Sequence, residues 1–338
     1  MKLEDPAVEW LLASDDPSVR YLTITEVLQE SPDSKEAHVA RDQIPSGPRV
    51  KTLLAGQGKD GSFGGHPYQK WAGAHWRLVS LVELAIPPEN RAGEATDQIL
   101  RWLTGKAHLA NIPKVNGLYR RCASQEGNAL AVCSRLGLAE DKRVVQLAES
   151  LVEWQWPDGG WNCDRRHEAD HSSFYESLAT LWGLVEYQTA TNDENYSKPI
   201  NKAADFFLQH HLFRSDKTGE TVNPEWLKLH YPVYYHYDIL QALMILWRSG
   251  RLDDSRTKDA LDIVEAKRGP DSLWRAEGYY WHPAGEKGVT GSIWSPNDKQ
   301  WKKRVVSHAD VVDWGRWGPN RMITLSALRV LNAAGRIK

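Results

Sequence analysis

The sequence predicts an all-α chain, a single closed (α/α)6 toroid of six inner and about six outer helices, on three observations. Apolar residues recur at three- and four-residue spacing along most of the chain, and strand-type alternation is almost absent. The helical segments are of two alternating kinds. One carries a charged outer face; the other is apolar round most of its circumference, as in Ala-Leu-Met-Ile-Leu-Trp at 242–247. A helix apolar on nearly all sides belongs inside. The junctions between segments also repeat, which marks a recurring helical hairpin.

The outer set is predicted over roughly 36–56, 91–105, 141–156, 196–211 and 254–267, with 5–13 as a sixth member. The inner set is predicted over roughly 16–29, 68–86, 124–137, 172–187, 232–250 and 318–335. One junction reads Leu136-Gly-Leu-Ala-Glu-Asp-Lys-Arg143 and again Gly250-Arg-Leu-Asp-Asp-Ser-Arg256, with a looser copy at Leu84-Ala-Ile-Pro-Pro-Glu-Asn-Arg91. Glycine past one helix end and acids at the next start are the expected punctuation. A second junction reads Gln57-Gly-Lys-Asp-Gly-Ser-Phe63 and Gln155-Trp-Pro-Asp-Gly-Gly-Trp161, with weaker copies near Gly117 and between Lys267 and Trp274. There an Asp-Gly turn reverses the chain, an aromatic fills the gap between layers, and the glutamine is placed to bond the turn and tie adjacent repeats. Only 270–316 breaks the pattern, with aromatic and basic residues in place of helical spacing. It is expected as an irregular, lid-like insertion over one mouth of the central cavity. No linker divides the chain, so 1–338 reads as one domain.

Composition narrows the function classes. Lys+Arg 42 against Asp+Glu 44 leaves a net charge of -2 with the signs interspersed, so no nucleic-acid footprint is visible. No apolar stretch approaches the roughly 18 residues of a membrane span. The start has acids where a secretory signal would be apolar, and three cysteines make no disulfide framework, so a cytoplasmic, reducing setting is expected. Sixteen Trp against five Phe suit a lined cavity as well as a core.

Inner helices that all run one way bring their N-terminal ends to a common mouth. Arg77, Glu126, Glu176, Asp238 and Arg321 then fall at nearly one depth, three carboxylates and two guanidiniums. Glu126, Glu176, Asp238, His236 and Asp313 are the candidate catalytic groups. Trp76, Arg77, Arg120, Arg121, Tyr175, Tyr234, Tyr237, Trp314 and Arg321 are the candidate substrate contacts. Three chemistries stay open: a protonated carboxyl donating to a substrate whose cation is stabilised by aromatic faces, an arginine clamp on a diphosphate or uronate, and acid–base work on a sugar. The polar rim favours the last two. Cys163, Asp164 and His171 are the candidate metal ligands, with zinc or magnesium open and no cofactor fixed. Cys122 and Cys133 read as small core hydrophobes.

The turns at 57–63 and 155–161 resemble the QW repeats of squalene and oxidosqualene cyclases. The hairpin arrangement is similar to the toroid these share with the β subunits of protein prenyltransferases. The resemblance implies an enzyme acting on an isoprenoid or its diphosphate in a central cavity. The cyclases' Asp-x-Asp-Asp motif does not occur; its nearest counterpart is Asp310-Val-Val-Asp313. The prenyltransferases' zinc-binding Asp-x-Cys is met only by Cys163-Asp164, adjacent and reversed. A carbohydrate-active toroid, lyase or glycoside hydrolase, is the alternative, since sugar-active toroids carry similar turns. A toroid that binds a small molecule without turnover is the third.

Overall fold

The computed structural model describes residues 5–288, 290–295, 300–305 and 307–337. Helix-rich hairpins follow one another along the chain. The first pairs α1 (Pro6–Leu12) with α2 (Pro17–Leu22), which runs on as a π turn over Thr23–Val27. Next come α3 (Lys35–Gln43) and α4 (Pro48–Leu54) before α5 (Ala74–Glu83). Then α6 (Thr96–Leu103) and the short α7 (Lys106–Leu109) precede α8 (Ser124–Arg135). The remaining hairpins are α9 (Lys142–Glu153) with α10 (Phe174–Thr191), α11 (Ser197–Gln209) with α12 (Ile239–Arg248), and α13 (Lys258–Ala266) with α14 (Arg321–Ala333).

The two kinds of helix differ in burial as their sequences dictate. α9 buries only Val144, Leu147, Ala148 and Leu151, the i, i+3, i+4, i+7 stripe of a helix packed on one side. α8 buries ten residues in a row but for Gln125, and α14 all from Met322 to Leu331. The buried helices pack in the order α5, α8, α10, α12, α14, α2. Three expectations need correction. The segment 36–56 is two helices, because Pro45 and Pro48 interrupt it with a 3-10 turn at Ile44–Ser46. The helices expected from 68 and 232 start only at Ala74 and Ile239. The segment 270–316 is not irregular throughout. It carries β3 (Trp281–Pro283) paired in parallel with β6 (His308–Asp310), and an antiparallel hairpin, β4 (Thr290–Ser295) with β5 (Gln300–Val305). Strands β1 (Lys114–Val115) and β2 (Leu118–Tyr119) form a further small ladder.

One turn design recurs three times. The Gln57 side-chain amide donates to the carbonyl of Gly61 in its own turn and to Arg91 at the start of the next outer segment, both at 3.0 Å. Gln155 repeats this with Gly159 and Pro199, both at 2.8 Å. Arg268 replaces glutamine in the third copy. It donates to the Ser272 carbonyl at 3.1 Å and reaches Asp5, the N-cap of α1, at 2.5 Å, so the last turn is tied to the first helix.

The turn aromatic closes the preceding helix. Trp161 Nε1 donates to Leu151 O at 2.8 Å, and Trp274 Nε1 to Val264 O at 2.7 Å, each ten residues back. Phe63 has no N–H to offer. The matching carbonyl, Leu53 O, is taken at 2.7 Å by Arg77, whose guanidinium lies 4.5 Å over the Phe63 ring. Arg77→Met should therefore leave that carbonyl unpaired and lower stability by about 1–3 kcal/mol. Adding Phe63→Trp, which restores a donor to Leu53 O but not to Ala72 O or Ala55 O, should recover part of the loss in urea unfolding; no recovery would refute the exchange of donors.

At the C-terminal ends of the buried helices six charged side chains converge, one from each: Glu26, Glu83, Arg135, Glu186, Arg248 and Arg329. Arg135 lies 2.9 Å and Arg248 3.9 Å from Glu186, and Arg329 lies 2.7 Å from Glu26. Glu83 accepts from the Tyr231 hydroxyl at 3.2 Å and interacts with Arg248, Arg135 and Arg329. Three carboxylates against three guanidiniums make the group neutral. Burial raises the Glu83 carboxyl. Burial would raise Glu186 too, but Arg135 and Arg248 hold it below the usual range.

Candidate functional site

The opposite ends of these helices carry most of the candidate residues, at or near the helix starts. Among the described residues, none of Arg77, Glu126, Glu176, Asp238 and Arg321 bonds to another of the five. The arginines are occupied by the protein itself. Arg77 binds the carbonyls of Ala72, Leu53 and Ala55. Arg321 binds Trp10 O at 2.9 Å and stacks on its ring. Arg120, buried over Trp156, donates to Ala169 O at 2.9 Å. Arg121 is held by Glu126 at 2.6 Å, by Gln125 at 2.7 Å and against His108.

Among the carboxylates, Glu126 is fully buried, with Oε1 on Arg121 and His108. Asp238 is the N-cap of α12, accepting from Gln241 N and His230 N at 2.9 Å each. Asp313 is exposed and accepts from Gly315 N in a local turn. Tyr237 is buried on Leu212 O, and Trp76 is buried behind Trp71. Trp314 and Tyr234 both donate to the buried Asp310. The proposed metal set also divides. Asp164 is taken by Arg166 at 2.5 Å, and His171 is exposed beside Asp170. Cys163 faces the other way.

What Cys163 faces is Cys122 and Glu176. The three ligand atoms lie within 4.8 Å of one another, and Cys163 Sγ is 3.5 Å from Glu176 Oε1. Glu176 sits in the first turn of α10. Its Oε2 accepts from Ser124 N at 3.0 Å and Ser124 Oγ at 2.8 Å, at the start of α8. Burial raises this carboxyl above its ordinary value, against the Ser124 bonds. All three residues keep some solvent contact.

Aromatic rings adjoin the trio. Tyr68 stands near Glu176 and Cys122, with Tyr235 next to Tyr68, and the Tyr175 hydroxyl accepts from Trp226 Nε1 at 3.1 Å. Tyr235, His236, Tyr280 and His230 form a stack with successive centroids at 4.1, 3.6 and 4.4 Å. Lys70 lies 4.0 Å over Tyr235. His236 donates from Nδ1 to Val233 O, and burial drives its pKa well below the ordinary value, so it stays neutral. Insertion residues roof this end: Trp71 Nε1 donates to Tyr280 O at 3.0 Å, and Trp281 Nε1 to Tyr231 O at 2.9 Å. No protein-family model and no curated protein matches this chain.

Sequence reasoning set Cys122 aside as a core residue, which holds for Cys133 alone. The signal was in the repeat: Cys122 and Cys163 each follow a turn aromatic, Tyr119 and Trp161, and each precedes a buried helix.

His75 is fully buried against Trp76 and Tyr68, with no partner on either ring nitrogen among the described residues. Burial lowers its pKa from 6.5 to about 3. The unfolded chain takes up this proton below about pH 6.5 while the native state refuses it. Stability present above that pH should therefore fall toward pH 3, by up to about 1.4 kcal/mol per unit. His75→Phe should flatten the acid side of a stability–pH profile; an unchanged slope would assign the acid sensitivity elsewhere.

Proposed function

We propose that the chain is a closed six-fold α/α toroid with one working mouth, acting on an isoprenoid by acid–base chemistry at Cys122, Cys163 and Glu176. The reading of a closed ring is supported by six helices each sending one charged side chain to a common point, and by the Arg268–Asp5 tie between the last turn and the first helix. The single observation that carries the functional reading is the contrast between the two ends. One is filled by a self-neutralised ion cluster. The other holds a half-buried carboxyl among two thiols and a set of Tyr, Trp and His rings. A ring filled at one end admits a small molecule and not a threading polymer.

Two details favour the first of the open chemistries. Arg77, Arg120, Arg121 and Arg321 are already bonded to protein atoms, so a diphosphate clamp lacks its cations and the substrate is held by ring faces. Hydrolysis of a glycosidic bond needs two carboxyl groups flanking it. Of the candidates, Glu176 is left, since Glu126 is neutralised by Arg121, Asp238 caps a helix and Asp313 lies in an exposed turn.

The test is to extract the purified protein with organic solvent, identify what leaves, and incubate it with polyisoprenoids. An isoprenoid is expected in the extract, with conversion that Glu176→Gln lowers about 10²–10⁴-fold. A sugar in the extract and glycan turnover, or isoprenoids left unconverted, would overturn the reading.

A further inference from the structure

We propose that Cys122, Cys163 and Glu176 are the protein ligands of a zinc-class divalent cation, with its fourth position left to solvent. The geometry is that of a three-ligand site. A sulfur and an oxygen bound to one tetrahedral zinc ion, about 2.3 and 2.0 Å from it, stand about 3.5 Å apart. Cys163 Sγ and Glu176 Oε1 stand 3.5 Å apart. The whole trio, within 4.8 Å, needs only side-chain rotation to close on an ion. Two sulfurs and one oxygen select a soft or borderline cation over magnesium or calcium.

The ligands are oriented from behind. Both Ser124 donors occupy Glu176 Oε2, which leaves Oε1 for the sulfurs. Arg121 N–H donates to Asn162 O at 3.1 Å, fixing the strand of chain with Cys122 against that with Cys163. Ser173 N donates to Trp161 O at 2.8 Å, and Trp161 N to Ser177 Oγ at 3.0 Å, which anchors Cys163 to α10. Such outer partners are what hold a metal ligand set in place.

Charge points the same way. Two thiolates and a carboxylate cannot share this half-buried space without a cation. The nearest guanidinium, Arg121, is committed to Glu126. Binding stands on this geometry alone. Its consequence, that water on the ion takes over proton exchange at the mouth, rests on the functional reading above.

The experiment loads the full chain with zinc, removes the excess by gel filtration and measures retained metal. Cobalt is then substituted and the thiolate-to-cobalt charge-transfer band recorded. One equivalent of zinc and a strong band are expected. Cys122→Ser and Cys163→Ser should each abolish the band, Cys133→Ser should keep it, and Glu176→Gln should weaken zinc binding about a hundredfold or more. Circular dichroism checks that each variant is folded. If a serine variant is not, the Glu176→Gln affinity and the zinc-induced rise in wild-type Tm decide. No retained zinc, no rise in Tm, or a band that survives loss of Cys122 would overturn the site. Metal bound without isoprenoid turnover would sink only the proposed function; turnover by metal-free protein would sink only the ion's part in proton exchange.

Discussion

Arg135→Met should cost about 3–5 kcal/mol of folding stability, because it removes one guanidinium from the buried charge cluster and strands the carboxylate it faces. Arg135 lies 2.9 Å from Glu186 and also donates to Val82 O at 3.1 Å. Arg248, at 3.9 Å, is too far from Glu186 to replace it in hydrogen bonding. A second change, Glu186→Gln, removes the stranded charge and should return most of the stability. The cluster then holds two carboxylates against two guanidiniums. Urea unfolding of the two single variants and the double variant closes the cycle. A coupling near zero would mean that these groups are solvated and do not fill that end of the helices.

Gly159→Ala should be nearly as damaging, at about 3 kcal/mol or more. The glycine has φ +102, and an added Cβ would stand 2.2 Å from Lys202 O in α11. The helix must withdraw or the turn must deform, and either strains the 2.8 Å bond from Gln155 to Pro199 O. Gly56 provides the control. Its φ is +81, but nothing lies within 4 Å of its absent Cβ, so Gly56→Ala should cost only the backbone strain, about 1 kcal/mol. Equal losses at the two positions would show that conformation alone, and not the approach of α11, demands the glycine.

The helices were legible because each has a strong period: Val144, Leu147, Ala148 and Leu151 state their stripe without help from the rest of the chain. The turns were legible for a similar reason, since Gln57 and Gln155 each bond a carbonyl four residues on, within the turn itself. The β3–β6 pair was not. It joins Trp281 to His308 across a long interval, and three-residue strands carry no period to read. The site was legible in place but not in partnership. An arginine near a helix start looks alike whether it awaits a ligand or, as with Arg77 and Arg321, already holds the end of a neighbouring helix. The charge cluster escaped because its members meet only when helix C-termini are aligned, whereas the candidate residues were sought at the N-termini.

Arg268 and Asp5 are separated by 263 residues, and Arg321 and Trp10 by 311. The first helix thus packs on α2 and its π turn, directly next in sequence, while its ties to Arg268 and Arg321 span most of the described chain. Contacts so distant in sequence form after the local hairpins, so this closure is a late event of folding.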